Sequence, residues 1–357
     1  MKPLLLLGIA LCLCTFIFPV SQAQEWTDQE ILALLQEQQP RDVAIDRGLE
    51  WIRAQQQPNG AYATGTNRTA LSSLAIMSHL AAGITFEDPR YGEQLRQSLR
   101  WVISMQGDRK YQGYFGDKDG SRMYGHGICT LMLTEAIGMT DDQLLEQEIL
   151  AALQPALNLT VNAARIKKDQ CHAGGWRYDP LAKDSDLSLS GWQLMSLHSA
   201  QQIGLDIPKE IIDAAVAYAE GCVLPNGGVS YQRGSNRDHA ALRGLGLFCL
   251  ALAGKESSEA ADRVVDRMRR NPIEWRGDWF FYRVYYDAVG LARARPETWT
   301  QYGNELEDLL TRHQSPDGSW PAPPGDNEAG RFGKVYATSM ALLALTVNRH
   351  VLPAYQR

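Results

Sequence analysis

The sequence predicts an all-α fold in which two concentric rings of helices close into one domain. Three observations predict it. A pattern recurs six times at a spacing of about fifty residues, within the range of stacked helix-pair arrays. Each copy pairs an amphipathic helix with a more apolar one. A turn rich in Gly and aromatic residues joins the two.

The chain has 357 residues and opens MKPLLLLGIALCLCTFIFPVSQAQ. Lys2 makes a basic start, Leu4 to Val20 is almost wholly apolar, and Ser21-Gln22-Ala23 places small residues ahead of a cleavage point. Residues 1–23 therefore read as a secretory signal peptide, leaving 24–357 as the toroidal domain. A membrane span needs roughly 20 apolar residues, and no second long apolar run follows. The mature chain is expected to be secreted or periplasmic, with no stable membrane span after signal removal.

The six amphipathic helices are predicted over 42–57, 93–106, 146–168, 209–222, 258–272 and 302–314, after a short helix at 28–38. In the fourth, Ile211, Ala214, Ala215, Tyr218 and Cys222 follow helical spacing, while Lys209, Glu210, Asp213 and Glu220 fall elsewhere. That is one buried stripe and one wet face. Their partners are predicted over 69–82, 126–138, 188–204, 239–254, 281–293 and 336–347. Runs such as YATSMALLALTV (336–347) are apolar nearly all round, as enclosed helices are. An outer ring around an inner ring follows, and six pairs can close without a cap.

The joining turns are QQQPNGAY (55–62), QGDRKYQGYF (106–115), CHAGGWRY (171–178), VLPNGGVSY (223–231) and QSPDGSWPAP (314–323). Pro presets φ and Gly accepts positive φ, so Pro-Asn-Gly and Pro-Asp-Gly are turn formers. The fifth pair has instead an aromatic run, WRGDWFFYRVYYDAVG (275–290).

Formal net charge is −6 and basic clusters are short, as at 165–168 and 267–270, which excludes a nucleic-acid partner. The mature chain keeps Cys129, Cys171, Cys222 and Cys249. Cys129 and Cys249 lie in apolar runs and read as buried thiols. Cys171 and Cys222 sit near equivalent turns, and spacing alone leaves open whether they bridge. Asp169-Gln-Cys171 has an Asp-x-Cys spacing, but it lies ahead of the Gly-Gly-Trp turn, and no metal site is expected. No CxxC pair, HExxH or Gly-rich phosphate loop is present, and no cofactor is expected.

Gln314-Ser-Pro-Asp-Gly318-Ser-Trp320 resembles the glutamine-to-tryptophan repeat of squalene cyclases and related prenyltransferases, and Gly174-Gly175-Trp176 and Gly227-Gly228 look like degenerate copies. The mature chain resembles exported bacterial members of the prenyltransferase/squalene-oxidase repeat superfamily. That resemblance implies an α6–α6 toroid, six outer and six inner helices, whose inner helices line a central cavity. Residues at the starts of the inner helices are then the candidates.

Asp184-Ser-Asp186-Leu187 stands where cyclases of this superfamily carry Asp-x-Asp-Asp, with Leu187 in place of the last acid. The resemblance makes Asp184 or Asp186 the catalytic acid. The same residues read locally as a helix start, with Asp186 or Ser188 capping free N–H groups. His239, after Asp238, is the candidate base, with Asp238 orienting its imidazole. His126, between Gly125 and Gly127, is a candidate ligand contact, as are Trp192, Trp279, Tyr282, Tyr285 and Tyr336. Three functions stay open. The first is an enzyme acting on an isoprenoid or other lipid. The second is a non-catalytic binding protein for a hydrophobic ligand, glycan or peptide. The third is a polysaccharide-cleaving enzyme, using His239 or a tyrosine as base and Arg237 or Arg331 to hold acidic sugars.

Overall fold

The computed structural model describes residues 39–107 and 110–355. The expected signal peptide at 1–23 and the short helix expected at 28–38 lie outside the described residues. Twelve α-helices follow in six pairs. The first members are α1 (Pro40–Ala54), α3 (Gly92–Ser104), α5 (Gln143–Ala164), α7 (Lys209–Glu220), α9 (Glu259–Arg269) and α11 (Pro296–Arg312). Their partners are α2 (Arg68–Ala81), α4 (Arg122–Ala136), α6 (Leu187–Gln202), α8 (Arg243–Leu252), α10 (Phe280–Ala294) and α12 (Asn327–Thr346).

Burial separates the two classes. Helix α1 buries only Ala44, Ile45, Gly48, Leu49 and Ile52, one face of the helix, whereas α2 buries every residue after Arg68. The even-numbered helices pack on one another in order, and α12 returns to pack on α2, closing the inner ring. Outside it, α11 packs on α1, where Arg41 Nη1 lies 2.8 Å from Glu307 Oε1. The predicted all-α toroid is therefore the observed fold. No helix among the described residues is long and apolar enough to cross a membrane.

The turns explain the repeat. Gly60, Gly113, Gly174, Gly227 and Gly318 all take positive φ, between 79° and 96°. Each backs onto the next outer helix. A Cβ would lie 2.8 Å from Gln97 O at Gly60, 2.4 Å from Pro155 O at Gly113 and 2.1 Å from Ala214 O at Gly174. At Gly227 it would lie 2.1 Å from Arg263 O, and at Gly318 it would lie 2.4 Å from Arg47 O. The last of these lands on α1, so the ring closes with the contact that built it. The glutamines do matching work: Gln56, Gln106 and Gln314 amides donate to the carbonyls of Gln94, Ala152 and Ala44 on those same helices. The aromatic after each glycine then docks inward. Backbone N–H groups of Tyr62, Trp176 and Trp320 donate to hydroxyls of Ser72, Ser190 and Thr338 on inner helices. At the fifth turn Trp275 instead stacks on His313 just past α11, centroids 4.3 Å apart.

Two boundaries differ from expectation. Helix α11 begins at Pro296, where the ring presets the first helical φ. Helix α12 begins nine residues before the apolar run at 336, in the polar stretch NEAGRFG (327–333), and breaks at Gly333 (φ 78°, ψ −174°).

Beyond α12 the chain runs through 3-10 turns at Val347–Arg349 and Pro353–Tyr355, the second packed on α6 and α4. Glu135, at the C-terminal end of α4, is fully buried there. Its Oε1 accepts from Ser199 Oγ (2.6 Å) and from the Ala354 N–H (3.1 Å), while Oε2 has no partner. Burial pushes its pKa up to about 8 against those two donors.

Gly318→Ala should cost about 3 kcal/mol, because a side chain there meets both a positive φ and the Arg47 carbonyl. Gly83→Ala, at φ 86° with open space around it, should cost only about 1 kcal/mol. Chemical denaturation of the two variants compares them; equal costs would refute the packing account. Glu135 gives a pH test. Its folded pKa lies above the ordinary 4.5, so its contribution is complete below that value and is lost as pH rises toward about 8, at up to about 1.4 kcal/mol per pH unit. Glu135→Gln should flatten that part of the stability profile, and an unchanged slope would remove Glu135 from the account.

Candidate functional site

The six inner helices begin around one cavity of about 790 Å³. Leu71 and Leu74 of α2, Ile128 of α4 and Leu242 before α8 supply aliphatic wall. Tyr124, Tyr178, Trp192, Tyr231, Trp279, Tyr282, Phe332 and Tyr336 supply aromatic wall. Such a volume lies within the ~300–1,000 Å³ range of small-molecule sites.

The floor is aromatic. Trp192 of α6 stacks on Tyr285 of α10, with ring centroids 5.5 Å apart and planes 8° apart. Tyr286 and Tyr282 lie at 5.6 and 6.4 Å from it. Buried tyrosine hydroxyls need partners. Here Ser188 Oγ lies 2.7 Å from Tyr124 OH and 2.6 Å from Tyr282 OH, which continues to Tyr286 OH at 3.5 Å. Burial raises all three hydroxyls well out of the range in which they would ionise near neutral pH. The Trp192 indole N–H finds no partner among the described residues.

An acid faces this cavity, and it is Glu328. Helix α12 starts with Asp326 as its cap, Oδ1 accepting from the Ala329 N–H at 3.1 Å, which sets Glu328 in the first turn. Glu328 Oε2 accepts from Tyr336 OH at 2.9 Å. Burial pushes its pKa well above the carboxylate range; the Tyr336 hydroxyl opposes this, the Asp326 and Asp278 charges add to it, and Arg331 opposes it. Asp278 lines the same wall, its Oδ1 accepting from the N–H groups of Trp279 and Asn327, both at 3.1 Å. Sequence reasoning missed Glu328 and Asp278. The available signal was Gly325-Asp326-Asn327-Glu328, a turn and cap ahead of a helix, hidden because the segment lacks an apolar period.

The expected acids are elsewhere. Asp186 has no exposed side-chain surface; it caps α6, Oδ1 accepting from the Leu189 N–H at 2.8 Å, and Oδ2 lies 2.5 Å from Arg177 Nη1. Burial raises its pKa, opposed by that N–H and by Arg177. Asp184 is half-exposed, with Oδ2 3.1 Å from Arg177 Nε. Neither lines the cavity, so the couplet is placed as an ion-paired helix start.

His126 does not reach the cavity either. It points at the outer ring, Nε2 2.9 Å from Thr160 Oγ1 of α5, and burial lowers its pKa to about 3. The flanking glycines make room for other neighbours: a Cβ at Gly125 would meet Ser121 Oγ, and one at Gly127 would meet the Gln193 amide. Asp238 turns from His239 to arginines, Oδ2 lying 2.6 Å from Arg243 Nη2 and 2.9 Å from Arg267 Nη2. Burial would raise its pKa, but donation from Arg243, the Val229 N–H and Arg267 brings it to about 2. His239 lines the cavity without that carboxylate, and burial lowers its pKa, as does Arg237. Tyr285 lies behind Trp192 and does not line the cavity. Trp192, Tyr282, Tyr336 and Trp279 do, Trp279 being 45% exposed at the lip with φ 61°.

Cys171 and Cys222 are both free thiols, the first exposed and the second buried. Asp169 Oδ1 accepts from the N–H groups of Cys171 (3.0 Å) and His172 (3.1 Å), so Asp-x-Cys builds a turn. Among the described residues, no three His, Cys, Asp or Glu side chains are grouped to hold a metal ion.

No family model matches the chain, and no curated protein matches it by sequence. Solved structures do. One is an inactive variant of the alpha-1,6-mannanase GH76A of Salegentibacter sp. HEL1_6 in complex with alpha-1,6-mannotetrose. It has TM-score 0.60 and 11% identity, covering 87% of this chain and 98% of that one. Another is a glycosidase, with TM-score 0.56, 12% identity, and 90% and 98% covered. A third is a variant of the type II terpene cyclase MstE from Scytonema in complex with geranylgeranyl dihydroxybenzoate, with TM-score 0.51, 14% identity, and 88% and 97% covered. What this chain shares with these enzymes is the α/α-toroid fold.

Proposed function

We propose that the cavity binds a predominantly apolar, isoprenoid-sized ligand carrying an oxygen function, and that Glu328 is the acid that serves that oxygen. The Glu328 carboxyl group in an aromatic wall carries this reading. Burial pushes the Glu328 pKa well above the ordinary carboxylate range, which favours its protonated form. Such a group is too weak an acid for an unactivated double bond, but it is suited to an oxygen that becomes more basic as its bond breaks. Aromatic faces stabilise positive charge developing beside them. The unpartnered Trp192 N–H is a second donor for an oxygen. A geranylgeranyl compound in one toroid of similar fold supports the ligand class.

A second reading rests on Asp278. Two carboxyl groups on one wall are the equipment of glycoside hydrolysis, one as acid and one as base or nucleophile. A toroid of similar fold that holds alpha-1,6-mannotetrose supports it.

Tryptophan fluorescence titrated with farnesol, geranylgeraniol and mannotriose separates the readings. Saturable quenching by the isoprenoid alcohols alone is expected. The affinity should fall as pH rises past the raised pKa of Glu328, because the ionised group no longer donates. Glu328→Gln, whose amide keeps a donor, should bind with little pH dependence and lose any turnover that mass spectrometry finds in the wild type. Binding of mannotriose alone, abolished in Asp278→Asn, would replace the first reading with the second.

A further inference from the structure

The lip of the cavity carries two exposed arginines for which no ion pair is found among the described residues. Arg122 opens α4 and Arg331 lies in the first turns of α12; these helices pack on either side of α2, and both arginines line the cavity. Neither forms an ion pair, and neither donates from its guanidinium to a carbonyl. Three other arginines near the inner-helix starts are committed: Arg177 to Asp184 and Asp186, Arg243 and Arg267 to Asp238.

Of the acids near the two arginines, Asp119 is fully engaged, whereas Asp326 keeps Oδ2 without a partner among the described residues and Asp278 shares the wall with Glu328. Asp119 Oδ2 accepts from the Thr69 N–H and hydroxyl, and its Oδ1 from the Ser121 N–H and hydroxyl. Glu328 takes the Tyr336 hydroxyl, and burial raises its pKa, which weakens both its pairing with Arg331 and its repulsion of an incoming anion. Arg122 also sits at φ 55°, a conformation that costs a side-chain-bearing residue energy and that persists where the surroundings or a ligand require it. All six inner helices begin at this lip, and the positive ends of their dipoles reinforce the two guanidinium groups. Below them the buried Trp192 N–H is a further donor without an acceptor.

We infer that the ligand has an oxyanion head group, a carboxylate or a phosphate, gripped between Arg122 and Arg331 with the apolar body in the aromatic cup beneath. Guanidinium forks match either head bidentately. This rests on the apolar-cup reading and adds the charge of the ligand to it.

Three ligands with one chain and different heads test it: farnesol, farnesoic acid and farnesyl monophosphate, titrated into the full protein by calorimetry at low and at moderate salt. The two anions should bind at least tenfold more tightly than the alcohol, and the gap should narrow as salt screens it. Arg122→Gln and Arg331→Gln should each narrow the anion-to-alcohol ratio several-fold, and the double variant should bring it to about one, with far-UV circular dichroism checking the fold. The salt dependence of the wild type tests the inference without any variant. Equal affinity for all three ligands would overturn the head-group assignment and leave the apolar cup standing. An anion preference that survives the double variant would overturn it too. Binding of none of them would sink both readings.

Discussion

The contact on which the cavity depends is the one that Trp192 of α6 makes with Tyr282, Tyr285 and Tyr286 of α10. Helix α8 stands between those two helices in the ring, so the contact requires α8 to sit close against α10. Glycine allows it. A Cβ at Gly244 would lie 2.2 Å from Tyr286 O, and one at Gly290 would lie 2.1 Å from Gly244 O. The two backbones touch directly, and the aromatic rings fill the centre of the inner ring. Four large rings in one place bring four polar tips, which is a liability unless they are paired. Ser188 and Tyr124 pair two of the hydroxyls. With these rings filling the centre, the cavity is a cup lined at the starts of the inner helices.

Repetition divides the labour around that cup. Every inner helix from α4 to α12 is preceded by an aspartate: Asp119, Asp186, Asp238, Asp278 and Asp326. Four of them accept from backbone N–H groups at or beside a helix start, and Asp238 accepts from the Val229 N–H in the preceding turn. A residue type present at nearly every equivalent position serves the repeat. Asp186 looked like half of a catalytic motif because it was read alone; beside its four counterparts it is a cap. Glu328 has no counterpart at the other helix starts, and it alone among these acids combines a place on the cavity wall with a strongly raised pKa.

How much of this was legible follows the same division. The rings, the turns and their closure were legible because they are built from local patterns repeated along the chain. Gln314 to Trp320 states in seven residues how one outer helix meets the next. The orientation of inner-helix side chains was not legible. Those helices are apolar all round, so periodicity cannot separate the face toward the cavity from the face toward the outer ring. His126 and Trp192 illustrate this. Both lie early in inner helices, yet one faces α5 and the other the cavity. Glu328 was hidden differently, since Gly333 cuts its short polar turn from the apolar helix that follows.

The polar groups left over in the cup point the same way as the residues that fill it. A folded protein satisfies its buried polar groups, and those it leaves unsatisfied mark where something else belongs. The aspartates of the rim accept from backbone N–H groups, from arginines, or from both, though Oδ2 of Asp326 has no partner among the described residues. Tyrosine hydroxyls are chained to Ser188 or given to Glu328. What remains is the Trp192 N–H, the proton of a neutral Glu328, and the guanidinium groups of Arg122 and Arg331. Every one of these is a donor, and two carry charge. An all-hydrocarbon guest would leave the buried Trp192 N–H unmet, and a neutral sugar would waste the aliphatic wall of Leu71, Leu74, Ile128 and Leu242. The guest that meets both demands has an apolar body and acceptor oxygens, with its negative charge at the end that stays near the mouth.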